Sequence, residues 1–95
     1  MSELVKVSSR SNPHAVAGAL VAAVRAKGSA ELQVVGAGAL NQAIKAVVIA
    51  GGIAGDCWDL TCRPAFTTVQ IDGEDRTAIR IRVDVAREAL QPVGG

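Results

Sequence analysis

The sequence predicts an α/β fold: a two-layer sandwich in the order β-α-β-α-β-β, in which a four-stranded mixed sheet carries both helices on one face. Three observations lead there. Two stretches repeat apolar residues at helical spacing, one entered through Asn12-Pro13 and the other through a glycine turn. A short apolar run precedes each of them, as a strand would. Near the C-terminal end, Asp72-Gly73 stands between two extended patterns and marks a hairpin, because these residue types tolerate the positive φ that such turns require.

Leu4 to Val7 is the expected first strand. Asn12 then supplies a side-chain oxygen for the first free backbone N–H groups of a helix, and Pro13 fills a position where no N–H is needed. That helix should run to about Lys27, burying Val16, Leu20 and Val24, with Arg25 and Lys27 at the negative end of its dipole and Gly28 as its stop. Glu31 to Val35 reads as the second strand, and Gly36-Ala37-Gly38 turns it into a second helix from about Ala39 to Ala50. Leu40, Ile44, Val47 and Val48 are its expected inner face, and Gly51 and Gly52 its expected end. In the third strand Trp58, Leu60 and Cys62 alternate with Cys57, Asp59, Thr61 and Arg63, which places Cys62 in the core. Pro64 interrupts this run, as at a bend or on an edge strand, and the extended pattern resumes from Phe66 to Ile71. The return strand, Thr77 to Val85, should turn Ile79, Ile81, Val83 and Val85 to the helices and Arg80, Arg82 and Asp84 away from them. Residues 1–95 form one domain in this reading, with 86–95 as a polar tail.

Composition narrows the function classes. Hydrophobic residues make up 49% of the chain, but with one Trp, one Phe and no Tyr it lacks the aromatic platforms on which single-stranded bases stack. The net charge of +1 is far from a basic balance, so any nucleic-acid binding must come from local charge placement. Met1 to Arg10 contains no apolar run resembling a signal peptide, and the longest apolar stretches are broken by Gly and Lys short of a membrane span. A cytoplasmic location and no membrane partner are therefore expected. Cys57 and Cys62 should point to opposite strand faces, which disfavours a disulfide, and with His14 they supply no closed zinc ligand set. No cofactor is expected. Catalysis has no support either, because no paired carboxylates and no Ser/His/Asp or Cys/His set has a sequence argument for meeting in space.

Four segments carry a family likeness. SNPHAVAGAL (Ser11 to Leu20), GAGALNQAIKAV (Gly36 to Val47), PAFT (Pro64 to Thr67) and IDGEDRTA (Ile71 to Ala78) resemble, in order and spacing, the motifs of the stage V sporulation protein S family. The resemblance spans about Leu4 to Val85. It implies an Alba-like fold, similar also to the C-terminal domain of translation initiation factor three, with homodimers or larger assemblies and a nucleic-acid-binding, regulatory role. Alba proteins concentrate Lys and Arg in the first loop, at the start of the second helix and along the hairpin arm. Here the first loop keeps Arg10, the helix start is Gly36, Ala37 and Gly38, and the hairpin tip carries Asp72, Glu74 and Asp75. An acidic tip would be repelled from a DNA groove.

The candidate nucleic-acid-binding residues are Arg10, Ser11, Asn12, Gly36, Gly38, Asn41, Gln42, Lys45, Arg63, Arg76, Arg80 and Arg82. The free N–H groups after Gly36 and the positive helix end suit a phosphate oxygen, with Asn41 and Gln42 as adaptable hydrogen-bonders; the same glycines suit close strand-to-helix packing. Asn41 stands where a dinucleotide fingerprint requires glycine, so that motif is absent. Asn12 reads first as a helix cap, and Lys45 as a solvated side chain that the family motif retains. Arg63, Arg76, Arg80 and Arg82 form an outward stripe that suits phosphates or pairs with Asp59, Asp84 or Glu74. Two functions remain: a nucleic-acid-binding regulator, and an oligomeric interaction module assembled through the Ala-rich second helix and the open sheet face.

Overall fold

The computed structural model describes residues 3–55 and 58–86 of the 95-residue chain. Its elements are β1 (Glu3–Val7), α1 (Pro13–Lys27), β2 (Ser29–Val34), α2 (Ala37–Ala54), β3 (Leu60–Ile71) and β4 (Glu74–Val85). They form the expected Alba-like α/β sandwich, a four-stranded mixed sheet in the order β1-β2-β4-β3 with two helices against it. β1 and β2 are parallel, while β4 runs antiparallel to both β2 and β3. The expected tail, Ala86 apart, lies outside the described residues, as does Cys57.

Register assigns the faces. Val5 and Val7 of β1, Ala30, Leu32 and Val34 of β2, and Ile79, Ile81, Val83 and Val85 of β4 occupy one face, since directly paired residues point the same way. On α1, Val16, Ala17, Leu20, Val21, Ala23 and Val24 are buried against them. α1 begins and ends as its sequence indicates. Asn12 Oδ1 accepts hydrogen bonds from the His14 and Ala15 N–H groups at 2.8 and 3.3 Å, and Gly28 closes the helix in the left-handed region at φ 84°.

α2 departs from expectation in both length and orientation. It runs through Gly51 and Gly52 to Ala54, and its buried residues are Ala39, Ala43, Ala46, Ala50 and Ala54. Leu40 and Val47 are half-buried, whereas Ile44 is 44% and Val48 is 70% exposed. The alanine stripe seats the helix on α1 and the sheet because backbones can come together only where side chains are small. Packing of Ala50 and Ala54 also carries the helix through the glycine pair, which costs only about 1 kcal/mol per glycine relative to alanine. With eighteen residues and a mean hydropathy of 1.4, α2 reaches the length and apolarity of a membrane span, which the sequence reading denied. Its alanine face is nevertheless built into the core of an α/β domain.

Of the bend and the edge strand that Pro64 allowed, β3 takes the edge position. It is one continuous strand through Pro64, which pairs with Ile81, and it lies at the sheet edge, where proline breaks no ladder with a further strand. The helices pack chiefly on β1, β2 and the near side of β4. Cys62, opposite the buried Val83, therefore has no helix over it and is exposed rather than in the core. Phe66, opposite Ile79, is 81% exposed for the same reason. At the base of the hairpin, the Ala86 N–H donates to the Asp59 carbonyl, and the Arg25 guanidinium lies 5.7 Å from the centre of the half-buried Trp58 ring.

The inverted face of α2 is directly testable. Ala43→Leu should destabilise the protein by about 1–3 kcal/mol through overpacking at a fully buried position. Ile44→Ala should cost less than about 1 kcal/mol, because the side chain it shortens is already half in water. Urea unfolding midpoints of the two variants check this order.

Candidate nucleic-acid interface

Because β1 and β2 are parallel, the helices that follow them start at the same end of the sheet. Two contacts bring these starts together. Gln42 Nε2, in the first turns of α2, donates to the Ser11 carbonyl at 2.8 Å. A Cβ placed on Gly38 would stand 2.9 Å from Ser9 Cβ, closer than carbon atoms approach, so glycine is what lets the first loop lie on the start of α2. Gly36 serves the turn itself, at φ 92° and ψ 161°, a conformation open to glycine.

The loop is a compact polar knot. The Ser8 N–H donates to Ser11 Oγ at 2.9 Å, the Ser11 N–H returns to the Ser8 carbonyl at 3.1 Å, and the Arg10 N–H donates to Ser8 Oγ at 3.2 Å. Arg10 is exposed on this knot and has no carboxylate partner among the described residues. Next to it α2 begins with no side-chain cap, which leaves its first N–H groups and the positive end of its dipole directed outward. Asn41 and Lys45 are exposed on α2.

Several candidates have structural duties instead. Asn12 is the α1 cap, the Ser11 hydroxyl closes the loop, and Gln42 ties that loop to α2. They build the platform on which Arg10 and the free N–H groups are presented. The arginines form a second group, since register sets Arg63, Arg76, Arg80 and Arg82 on the sheet face away from the helices. Arg82 Nε contacts both Asp84 carboxylate oxygens at 3.0 and 3.2 Å, and Arg80 Nε lies 3.6 Å from Glu31 Oε1. Asp84 was among the expected partners; Glu31 was not, because the neighbour of β4 on that side is fixed only by strand order. Neither Asp59 nor Glu74 pairs with these arginines.

One part of the surface escaped the sequence reading. A cleft of about 360 Å³ lies between the first loop and the hairpin, lined by Lys6, Ser8, Ser9, Gln33 and Gln70 among others. The alternation of β1 turns Lys6 outward, but only the extension of the hairpin past the ends of β1 and β2 brings Gln70 near it.

The fold and this surface define a class: a small α/β sandwich with joined helix starts, an open arginine-bearing sheet face and a projecting hairpin. The sequence model of the stage V sporulation protein S (SpoVS) family matches residues 3–86, nearly the whole chain. The chain belongs to that family, and membership implies a sporulation-related role.

The joint between the helix starts predicts an energetic coupling. Gly38→Ala should destabilise the protein by about 1–3 kcal/mol, and Ser9→Gly in the same chain should recover most of the loss by removing the atom that the new methyl meets. A double-mutant cycle by chemical denaturation should return a coupling of about 0.5–3 kcal/mol.

Proposed function

We propose that the protein is a non-catalytic, cytoplasmic nucleic-acid-binding regulator that works as a homodimer and needs no cofactor. The observation that carries this reading is the junction of the two helix starts. There Arg10 and the uncapped N–H groups of α2 share one small surface with Asn41 and Lys45 close by, and none of these side chains is committed to an ion pair among the described residues. Donors of this kind suit phosphate oxygens, so the contact is to backbone and carries no base information. The bound strand runs against the helix starts, where Lys6 adds a further cation in the cleft beside the first loop. It does not follow the base of the hairpin, which pairs at the opposite end of the sheet, Ser29 with Asp84 and Leu60 with Val85. It avoids the tip, where Asp72, Glu74 and Asp75 oppose it.

The homodimer rests on the outer surface of the sandwich rather than on the alanine stripe, which the core has used. Ile44 and Val48 project from α2, and Phe66 stands on β3 beside Pro64, Ala65 and Ile79. Uncharged surface of this kind suits an isologous contact with a second copy, and pairing doubles the small positive patch. The same exposed apolar surface favours the second reading, an oligomeric interaction module without nucleic-acid binding.

Salt-titrated binding to duplex DNA and to single-stranded RNA distinguishes the two. Log affinity should fall with log salt by about 0.9 per phosphate contact, with a slope equivalent to roughly two to five contacts. Arg10→Glu should weaken binding to all sequences alike, and Glu74→Lys should not weaken it. Retained binding by Arg10→Glu together with loss by Glu74→Lys would move the site to the arm. No binding of either nucleic acid at low salt would leave the interaction module standing.

A further inference from the structure

The hairpin arm has no task in the nucleic-acid reading, yet it is the most projecting feature of a molecule 53 Å long. Its tip holds Asp72, Glu74 and Asp75, all exposed, and none lies within ion-pair distance of a cation among the described residues. Asp75 has only an amide hydrogen bond, from Gln70 at 3.3 Å. Arg76 follows them directly in the chain, and residues 72–76 carry a net negative charge.

The open face of the sheet presents the opposite pattern. A groove of about 200 Å³ crosses three strands and is lined by Glu31, Arg63, Pro64, Ala65, Arg80 and Arg82. Arg63 stands directly opposite Arg82 in the β3–β4 register, an arrangement of like charges that is unfavourable unless an anion lies between them. Arg82 is held by Asp84 and Arg80 by Glu31, but Arg63 has no carboxylate within 4.0 Å among the described residues. Ala65, opposite Arg80, leaves the gap that forms the groove.

We propose that the acidic hairpin tip of one copy docks in the arginine groove of a second copy, with a tip carboxylate bridging Arg63 and Arg82. Charge complementarity selects the occupant, and geometry excludes the chain's own tip. From Arg63 to Asp72 is nine residues of continuous strand, about 30 Å at about 3.3 Å per residue, several times the reach of an arginine side chain. Each contact joins unlike surfaces, so it is either exchanged reciprocally within a pair or repeated from copy to copy into rings or chains. Its surface is small, which makes the association weak and salt-sensitive, unlike the apolar pairing of α2. The inference stands whether or not the helix starts hold nucleic acid.

Sedimentation velocity of the full chain at low and at about 1 M salt tests it, since ions at the higher concentration screen charges beyond about 3 Å. The weight-average mass should rise with protein concentration at low salt, and this rise should vanish at high salt. Arg63→Glu should abolish the salt-sensitive rise, and so should the tip double variant Glu74→Arg/Asp75→Arg. Mixing the two variants should restore it, because the acidic tip of Arg63→Glu meets the intact groove of the tip variant, whose basic tip in turn meets the altered groove. This restoration also shows that both variants are folded. An unchanged salt-sensitive rise in either variant, or a mixture that stays at the mass of its components, overturns the proposal. So does loss of duplex-DNA affinity in Arg63→Glu with self-association intact, which would assign the groove to phosphate.

Discussion

The close seating of α2 through Ala39, Ala43, Ala46, Ala50 and Ala54 is the contact on which the remaining architecture depends. Alanine contributes little apolar area per residue, so this seam stabilises through proximity: it lets α2 lie against α1 and against β1 and β2 at once. The larger aliphatic groups of α2 are displaced from the seam as a result. Leu40, Val47 and Ile49 pack at its margins, while Ile44, Val48 and Ile53 face outward. The domain thus presents an apolar exterior as a by-product of a tight interior. The same approach presses the start of α2 onto the first loop, where only glycine at position 38 leaves room for Ser9.

Function follows from where the helices stop. They cover β1, β2 and part of β4 and leave most of β3 beyond Leu60 uncovered, so the long hairpin stands out from the body with Phe66 and Cys62 exposed. Charge is divided along this geometry. Cations collect on the first loop and on the open face of the sheet, and carboxylates collect at the hairpin tip. A total charge of +1 conceals this division, and the polarity rather than the net charge is what a partner meets.

Much of this was legible in the chain because it is written in local chemistry. Asn12-Pro13 and Gly28 bound α1 correctly, since capping and left-handed backbone involve only neighbouring residues. Asp72 and Gly73, with φ of 52° and 78°, form the hairpin turn that their residue types call for. Alternation in β4 placed Ile81 and Val83 inside and Arg80 and Arg82 outside, as strand geometry requires. The candidate residues of the first loop and of α2 do meet, as two strands feeding helices at one sheet end imply.

What the sequence determined by itself was the order of elements, the caps of α1, the hairpin turn, the family, and the division of residues between the two faces of β3 and β4. The tertiary structure alone decided which side of α2 is buried, because hydrophobicity points to Ile44 and Val48 whereas close packing between backbones selects the smallest side chains. It alone placed Cys62 in solvent, since exposure on an edge strand depends on how far the helices reach and not on alternation. It alone set Glu31 beside Arg80 and Arg63 opposite Arg82, because partners across a sheet are fixed by strand order and register, which no local signal encodes.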